Sequence, residues 1–187
     1  VSQKELRIKW GYHSTDKIFL YIGRFERDKR PIDLIKLFSN LEDKNTKLIM
    51  VGTGILLDQA KKEICTRDLG ARIQIIEHVP NKEIWELYRV ADTFVNLNHS
   101  EIWGMVLLEA MYYKLGIIAV TAPGPNSIIE NGRTGFVVDD DEALLEKMKF
   151  QTFSDEMIFN AYCRVTQVFN WSNTAKEMMN FAIETEF

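Results

Sequence analysis

Cysteine is scarce in this chain, and its scarcity removes a whole class of scaffolds. The 187 residues include two cysteines, Cys65 and Cys163. They lie far apart, without metal-ligand spacing, and are too few for a disulfide framework. A dominant charge of one sign is also missing. The formal net charge of -4 gives no global attraction to nucleic acid or to an anionic membrane. Any anion must therefore be met by a local cluster of cations. No stretch reaches membrane-spanning length, and the opening "VSQKELRIKWGYHSTDK" has no apolar signal core, so the sequence reads as cytoplasmic. Internal repeats and low-complexity tracts are absent. The chain starts without methionine and runs straight into domain-like sequence, as a piece of a longer protein would.

What is present is ordinary for a globular protein, with 46% apolar and 27% charged residues. The length suits one domain, or a domain with an appendage, and is enough to bury a substantial core. Short apolar runs alternate with helical patterns. "KIFLYIG", "KLIMVG", "RIQIIEHV", "DTFVNLN", "GIIAVTA" and "TGFVVD" read as strands. Between them, "PIDLIKLFSNL" carries Pro31 at a first helical turn and Leu34, Ile35, Phe38 and Leu41 on one stripe. "ILLDQAKKEICTRDLG" reads as a helix closed by Gly70. "NKEIWELYRVAD" has Asn81 as N-cap and Ile84, Leu87, Tyr88 and Ala91 at helical spacing. "NSIIENG" is a short turn of helix. After about residue 150 the strands stop and two helices follow, the last with a Trp171, Ala175, Met178, Met179, Ala182 stripe. Alternation of this kind predicts an α/β fold: a Rossmann-like parallel sheet flanked by helices on both faces. Ligands on such sheets sit at the carboxyl ends of the strands, near the switch point.

Several clusters fall at that edge. "GRFERDKRP" puts Arg24, Arg27, Lys29 and Arg30 within seven residues, interrupted by Glu26 and Asp28. A solvated charged loop would look the same, but a loop leaving a buried strand and opening a helix can meet a diphosphate. "VGTG" fails the dinucleotide pattern because Leu57 stands at the third glycine position, so it reads as a tight turn. The aspartates of "VVDDDEALLEKM" read as carboxylates at a helix start and not as metal ligands; no metal is expected. In "HSEIWGMVLLEAM", Glu101 and Glu109 stand eight positions apart. A glycosidase pair must face across one bond, roughly 5 to 9.5 Å apart. Eight residues of helix rise about 12 Å, which suits two hydroxyl-bearing ends of one long ligand better. Between them, "WGMVLL" would put a helix N-terminus, an anion site, at the ligand edge. The plain alternative is a surface Glu101 and a helix-face Glu109 paired with a lysine.

Taken in order, "GRFERDK", "LIMVGTG", "IQIIEHVPNKEIWELYRVADTFVNLNHSEIWGMVLLEAM" and "PNSIIENGRTGFVV" resemble the carboxyl-terminal donor-binding domain of the retaining GT-B glycosyltransferases of family 4, the glycosyl transferases group 1. The similarity runs from about residue 4 to the end, and the E-x7-E pair is the family's hallmark. The resemblance implies one half of a GT-B fold, with a donor-binding domain over 1–168 and a helix over 169–187 packing toward an amino-terminal acceptor domain that this chain lacks. It implies that Gly23–Arg24 and Lys29 hold the diphosphate of a nucleoside diphosphate sugar. Glu101 would contact hydroxyls of the donor sugar, positioning it without acting as nucleophile, and Glu109 would accept hydrogen bonds from the ribose. Backbone N–H groups around Gly104, Met105 and Val106 would face the phosphates, Trp103 would belong to the donor site, and the base would pack near Val79. Arg24, Lys29 and Glu101 form the implied catalytic set, and no cofactor is needed.

The implied activity is transfer of a hexose to a saccharide or lipid-linked acceptor in polysaccharide biosynthesis, metal-independent and with retention. Membrane contact is expected only through the full-length protein, at the inner face. This stretch alone is expected to bind donor without efficient transfer. Arg30 replaces the family's usual glycine, Asn98 a common serine, Ile117 a common proline and Trp103 a phenylalanine. Two other readings keep the fold: a non-catalytic nucleotide-binding or partner-docking module, and a sugar-nucleotide epimerase with His99 near the donor.

Overall fold

The computed structural model describes residues 1–80, 82–150 and 152–169. Its centre is β1 (Lys17–Ile22), an apolar run whose Ile18, Phe19, Leu20 and Tyr21 are buried on both faces. The other strands are β2 (Thr46–Val51), β3 (Ile73–Ile76), β4 (Thr93–Asn96), β5 (Gly116–Val120) and β6 (Phe136–Val138). All neighbours pair in parallel, in the order β3-β2-β1-β4-β5-β6. Strand order reverses between β1 and β4, so the loops leaving those two strands diverge and open a crevice.

Alternate residues feed two apolar layers, because successive strand side chains point to opposite faces. Phe19, Tyr21, Leu48 and Met50 pack on one face under α2 (Pro31–Phe38), α3 (Leu57–Thr66) and α7 (Asp141–Phe150). Ile18, Leu20, Ile49 and Ala119 pack on the other. That face is covered by α1 (Gln3–Lys9), α4 (Ile84–Val90), α5 (Met105–Tyr112), α6 (Pro123–Ile128) and α8 (Asp155–Gln167). A three-layer α/β sandwich with helices on both faces follows, as the alternation predicts.

Local boundaries differ from the expectations in four places. The third strand covers only Ile73–Ile76, because the chain turns away after Ile76 toward Val79. Helix α3 is closed by Asp68, in the left-handed region at φ 54°, and not by Gly70; a short acidic side chain tolerates that conformation. Helix α6 begins earlier than "NSIIENG", because Pro123 at its first turn has φ pre-set for a helix, and it ends at Ile128. Helix α1 was not anticipated; Ser2 and Glu5 form a reciprocal capping box at its start. Helix α4 begins at Ile84, while the expected cap, Asn81, lies outside the described residues. The final helix with its Trp171–Ala182 stripe, and with it the unit expected over 169–187 beyond Phe169, also lies outside them. Among the described residues, no helix is long and apolar enough to cross a membrane.

Candidate functional site

The loop after β1 is held from below by the turn after β2. Gly23 N–H donates to the Val51 carbonyl at 3.0 Å, Phe25 N–H to Thr53 at 2.8 Å, and Leu56 N–H to Phe25 at 2.9 Å. Gly52 has φ 138°, and a Cβ on it would sit 2.1 Å from the Gly23 carbonyl oxygen. The glycines of "VGTG" therefore serve this close approach of two backbones, in keeping with the tight-turn reading. The Tyr21 hydroxyl donates to the Arg24 carbonyl at 3.0 Å, leaving the exposed Arg24 side chain at the rim.

A single 3₁₀ turn, Arg27–Lys29, then aims Lys29 inward. Arg30, at φ 53°, ends that turn in the left-handed region and leads into α2. Its guanidinium is fully engaged: two nitrogens meet Asp141 at 2.9 and 2.6 Å, and Nε meets Asp33 at 3.0 Å. These contacts hold its pKa above the ordinary value, against the opposing effect of burial. Arg30 is thus a clamp on the cation loop and not a further cation for a ligand. Asp140 Oδ1 accepts from Ala143 N–H at 2.8 Å, as a helix-start carboxylate does. Among the described residues no three His, Cys, Asp or Glu side chains form a metal-binding group.

Across the crevice, the loop after β4 is ordered by Asn98, which is 2% exposed. Its Oδ1 accepts from both Ser100 N–H and Ser100 Oγ at 2.9 Å, and its Nδ2 donates to Glu101 Oε2 at 3.2 Å. The sequence marked Asn98 only as a departure from a serine; its organising role was missed, and "NHS" after an apolar run was the available signal of an Asx-type turn. Lys29 Nζ meets Glu101 Oε2 at 2.7 Å, while Gly104 N–H donates to Oε1 at 3.1 Å. Burial alone would raise the Glu101 pKa. The bonds from Lys29, the Gly104 amide and Asn98 outweigh it and hold the carboxyl below its usual range. Gly104, at φ 61°, caps α5. Met105 and Val106 N–H, in the first turn, have no hydrogen-bond partner among the described residues.

Together these elements enclose a crevice of about 260 Å³, lined by Gly23, Arg24, Lys29, Glu101, Trp103, Met105 and Val106, with Asn96 and Tyr21 at its floor. Every residue implied for the donor site except Gly104, Val79 and Glu109 is on this lining, and His99 of the epimerase reading is not. Gly104 stands just behind it. Val79 is buried in the core layer beneath α4, 8% exposed. Glu109 is exposed on α5 and accepts from the Tyr88 hydroxyl, not from a lysine. His99 is exposed and turned to the Thr121 carbonyl at 3.4 Å, away from the lining. A larger hollow of about 350 Å³ at the opposite edge of the sheet brings no free amides together, and its Lys17 is turned to the Met148 carbonyl. The crevice is the site where cations, open amides and a fixed carboxylate converge.

Known proteins similar to this chain in sequence or shape include named glycosyltransferases. N-acetyl-alpha-D-glucosaminyl L-malate synthase of Bacillus anthracis is 26% identical over 141 residues, which cover 72% of this chain and 35% of the relative. A probable sucrose-phosphate synthase of Thermosipho melanesiensis is 30% identical over 136 residues, 70% of this chain and 30% of its own. The chain thus spans about a third of the length of these curated relatives. Among solved structures, Anabaena Alr3699/HepE in complex with UDP and glucose superposes with a TM-score of 0.83 at 17% identity, covering 97% of this chain and 52% of that one. The C-terminal domain of a glycosyl transferase group 1 family protein, LpcC, from Francisella tularensis superposes at 0.77 and 19% identity, covering 91% of this chain and 94% of that domain. The fold is accordingly one half of a GT-B architecture. Residues 2–155 match the family described as glycosyl transferases group 1, and to that family the chain belongs.

Proposed function

We propose that the crevice binds a nucleoside diphosphate sugar, and that this chain is the donor-binding half of a retaining glycosyltransferase. The observation that carries the reading is the Lys29–Glu101 pair at 2.7 Å, set beside the open amides of Met105 and Val106. A diphosphate entering there meets Lys29, the rim cation Arg24 and a helix N-terminus at once. Glu101, an acceptor whose two oxygens are already oriented, is placed to receive donor-sugar hydroxyls. In transfer, the bond between the anomeric carbon and the phosphate oxygen breaks, and its electron pair leaves on the diphosphate. Arg24, Lys29 and the α5 amides stabilise that charge, with no metal required for the purpose. The acceptor hydroxyl, from a saccharide or lipid-linked molecule held by an amino-terminal domain, bonds the anomeric carbon and gives up its proton to the departing diphosphate. A hexose added with retention during polysaccharide biosynthesis in the cytoplasm is the reaction this reading describes. The complex of Anabaena HepE with UDP and glucose supports the ligand class.

Calorimetric titration with UDP-, GDP- and ADP-sugars and NAD tests it. One nucleotide-sugar class is expected to bind, with Lys29→Ala weakening it by about tenfold or more. Affinity for the bare nucleoside should be unchanged. Absence of binding at millimolar ligand, or a Lys29→Ala variant that binds as the parent does, would overturn the proposal.

A further inference from the structure

The floor of the crevice carries one polar side chain that the chemistry above does not use. Strand β4 is apolar through Phe94 and Val95 and then ends in an amide, Asn96, just before the buried Leu97. Asn96 is 7% exposed, and what remains of its surface opens on the crevice, whose lining it shares with Ile22 and Val106. Its Oδ1 accepts from Asn98 N–H at 2.8 Å. A backbone N–H can meet only the oxygen of an amide, so this bond settles which way the side chain is turned, with the NH2 group as the free end. Nδ2 has no hydrogen-bond partner among the described residues. Nor is it sealed in the core: among them, the one enclosed side-chain nitrogen or oxygen without a partner is Arg72 Nη2, just before β3. The N–H bonds of Asn96 therefore reach into the crevice.

A buried amide whose donors find no partner costs stability, and such a group is kept where something else satisfies it. Nothing on the protein does so here. The Tyr21 hydroxyl is committed to the Arg24 carbonyl, and the Glu101 oxygens are held by Lys29, Asn98 and Gly104. The partner has to come from a ligand, and it has to accept. The other groups left open to a ligand are donors as well: Arg24, the remaining ammonium protons of Lys29 and the amides of Met105 and Val106. A diphosphate offers acceptor oxygens to all of them and no proton of its own, whereas a sugar hydroxyl brings a donor hydrogen.

We infer that Asn96 is a specificity-determining residue of the site, its side-chain NH2 donating from the floor of the crevice to a phosphate oxygen of the bound nucleotide. The inference rests on the donor-binding reading and adds to it a neutral donor beside the cations and the helix N-terminus. It also accounts for an amide in place of a carboxylate. Aspartate would accept from Asn98 N–H equally well, but would set a negative charge under the phosphates.

Two variants separate the donor from the turn that Asn96 supports. Asn96→Asp keeps an acceptor for Asn98 N–H and loses the donor; Asn96→Leu loses both without adding charge. The whole chain, parent and variants, is titrated with inorganic pyrophosphate, the nucleoside diphosphate that the parent binds and the matching nucleoside. Pyrophosphate and diphosphate affinities should fall by about tenfold in Asn96→Leu and further in Asn96→Asp, with nucleoside affinity within about twofold of the parent. In amide proton–nitrogen NMR spectra, the Asn96 NH2 signals, identified by their absence from Asn96→Asp, should shift when pyrophosphate is added to the parent. The inference fails if those signals stay in place, or if Asn96→Leu binds pyrophosphate as the parent does. It fails also if the variants weaken nucleoside and pyrophosphate alike, the mark of a collapsed turn. Loss of binding in Lys29→Ala with none in the Asn96 variants would overturn this inference and leave the donor site standing. A parent that binds neither pyrophosphate nor nucleoside diphosphate overturns both, before any variant is made.

Discussion

Lys29 and Glu101 neutralise each other across the crevice, so under the proposed function a donor phosphate would compete with a carboxylate for the same ammonium group. Glu101 is the better placed of the two to report on this, because its bonds hold its pKa below the ordinary 4.5. A carboxyl with a depressed folded-state pKa contributes stability that is fully present above the unfolded value and lost as pH falls through the folded one. Glu101→Gln removes the titration while keeping the shape. Urea midpoints of parent and variant should therefore differ at about pH 6 and converge on acidification to about pH 3. A constant difference across that range would show that the carboxylate bonds contribute nothing. Tyr88 shows the limit of sequence at this scale. Its place on the apolar stripe of α4 was legible from helical spacing, but the destination of its hydroxyl depends on which helix the fold sets beside it.

At the scale of elements, the functional loops are shaped by backbone positions that tolerate few residues. Gly104 is the sharpest case: its φ is 61°, and an added Cβ would lie 2.9 Å from Ile128 Cδ1 and 3.1 Å from Leu107 Cδ1. Gly104→Ala should cost about 1–3 kcal/mol, from left-handed strain and displacement of those methyls. Chemical denaturation measures it, and a variant as stable as the parent would mean that the start of α5 can re-form around the methyl. Arg30 meets the same demand without glycine, its left-handed backbone offset by three charge-assisted bonds to Asp141 and Asp33. The sequence showed a substitution there but not its partner, since Asp141 lies on the far side of the chain. Pro31 and the aspartates before α7 were readable because their signals are local; the capping box at Ser2 and Glu5 was equally local and went unread.

For the molecule as a whole, the alternation of apolar runs and helical stripes was enough to expect a parallel sheet with two covered faces. It was not enough to order the strands. Residues Lys29 and Glu101 meet because β1 and β4 are neighbours; pattern and composition do not say so, and among the sequence readings only the family resemblance put them in one set. The layered core also predicts how the molecule opens. Ile18, Leu20 and Ile118 in β1 and β5 are fully buried, whereas β3 and β6 are edge strands with partly exposed residues. Native-state hydrogen exchange should find the slowest amides in β1, β4 and β5 and faster ones in β3, β6 and α1. Uniform protection would mean that the molecule opens only all at once.

The ion pair at the centre of the site has a further consequence for the newborn chain. Lys29 and Glu101 stand 72 positions apart. At translation rates of 5–20 residues per second, the lysine emerges roughly 4 to 14 s before its partner exists. The strand that presents it is already made and the turn after β2 follows within that interval, whereas Asp141, which clamps its loop through Arg30, comes later still than Glu101. For that interval the cation has only the acidic neighbours of its own loop, Glu26 and Asp28, as protein counterions, and the carboxylate that balances it in the folded crevice is a late arrival on the ribosome.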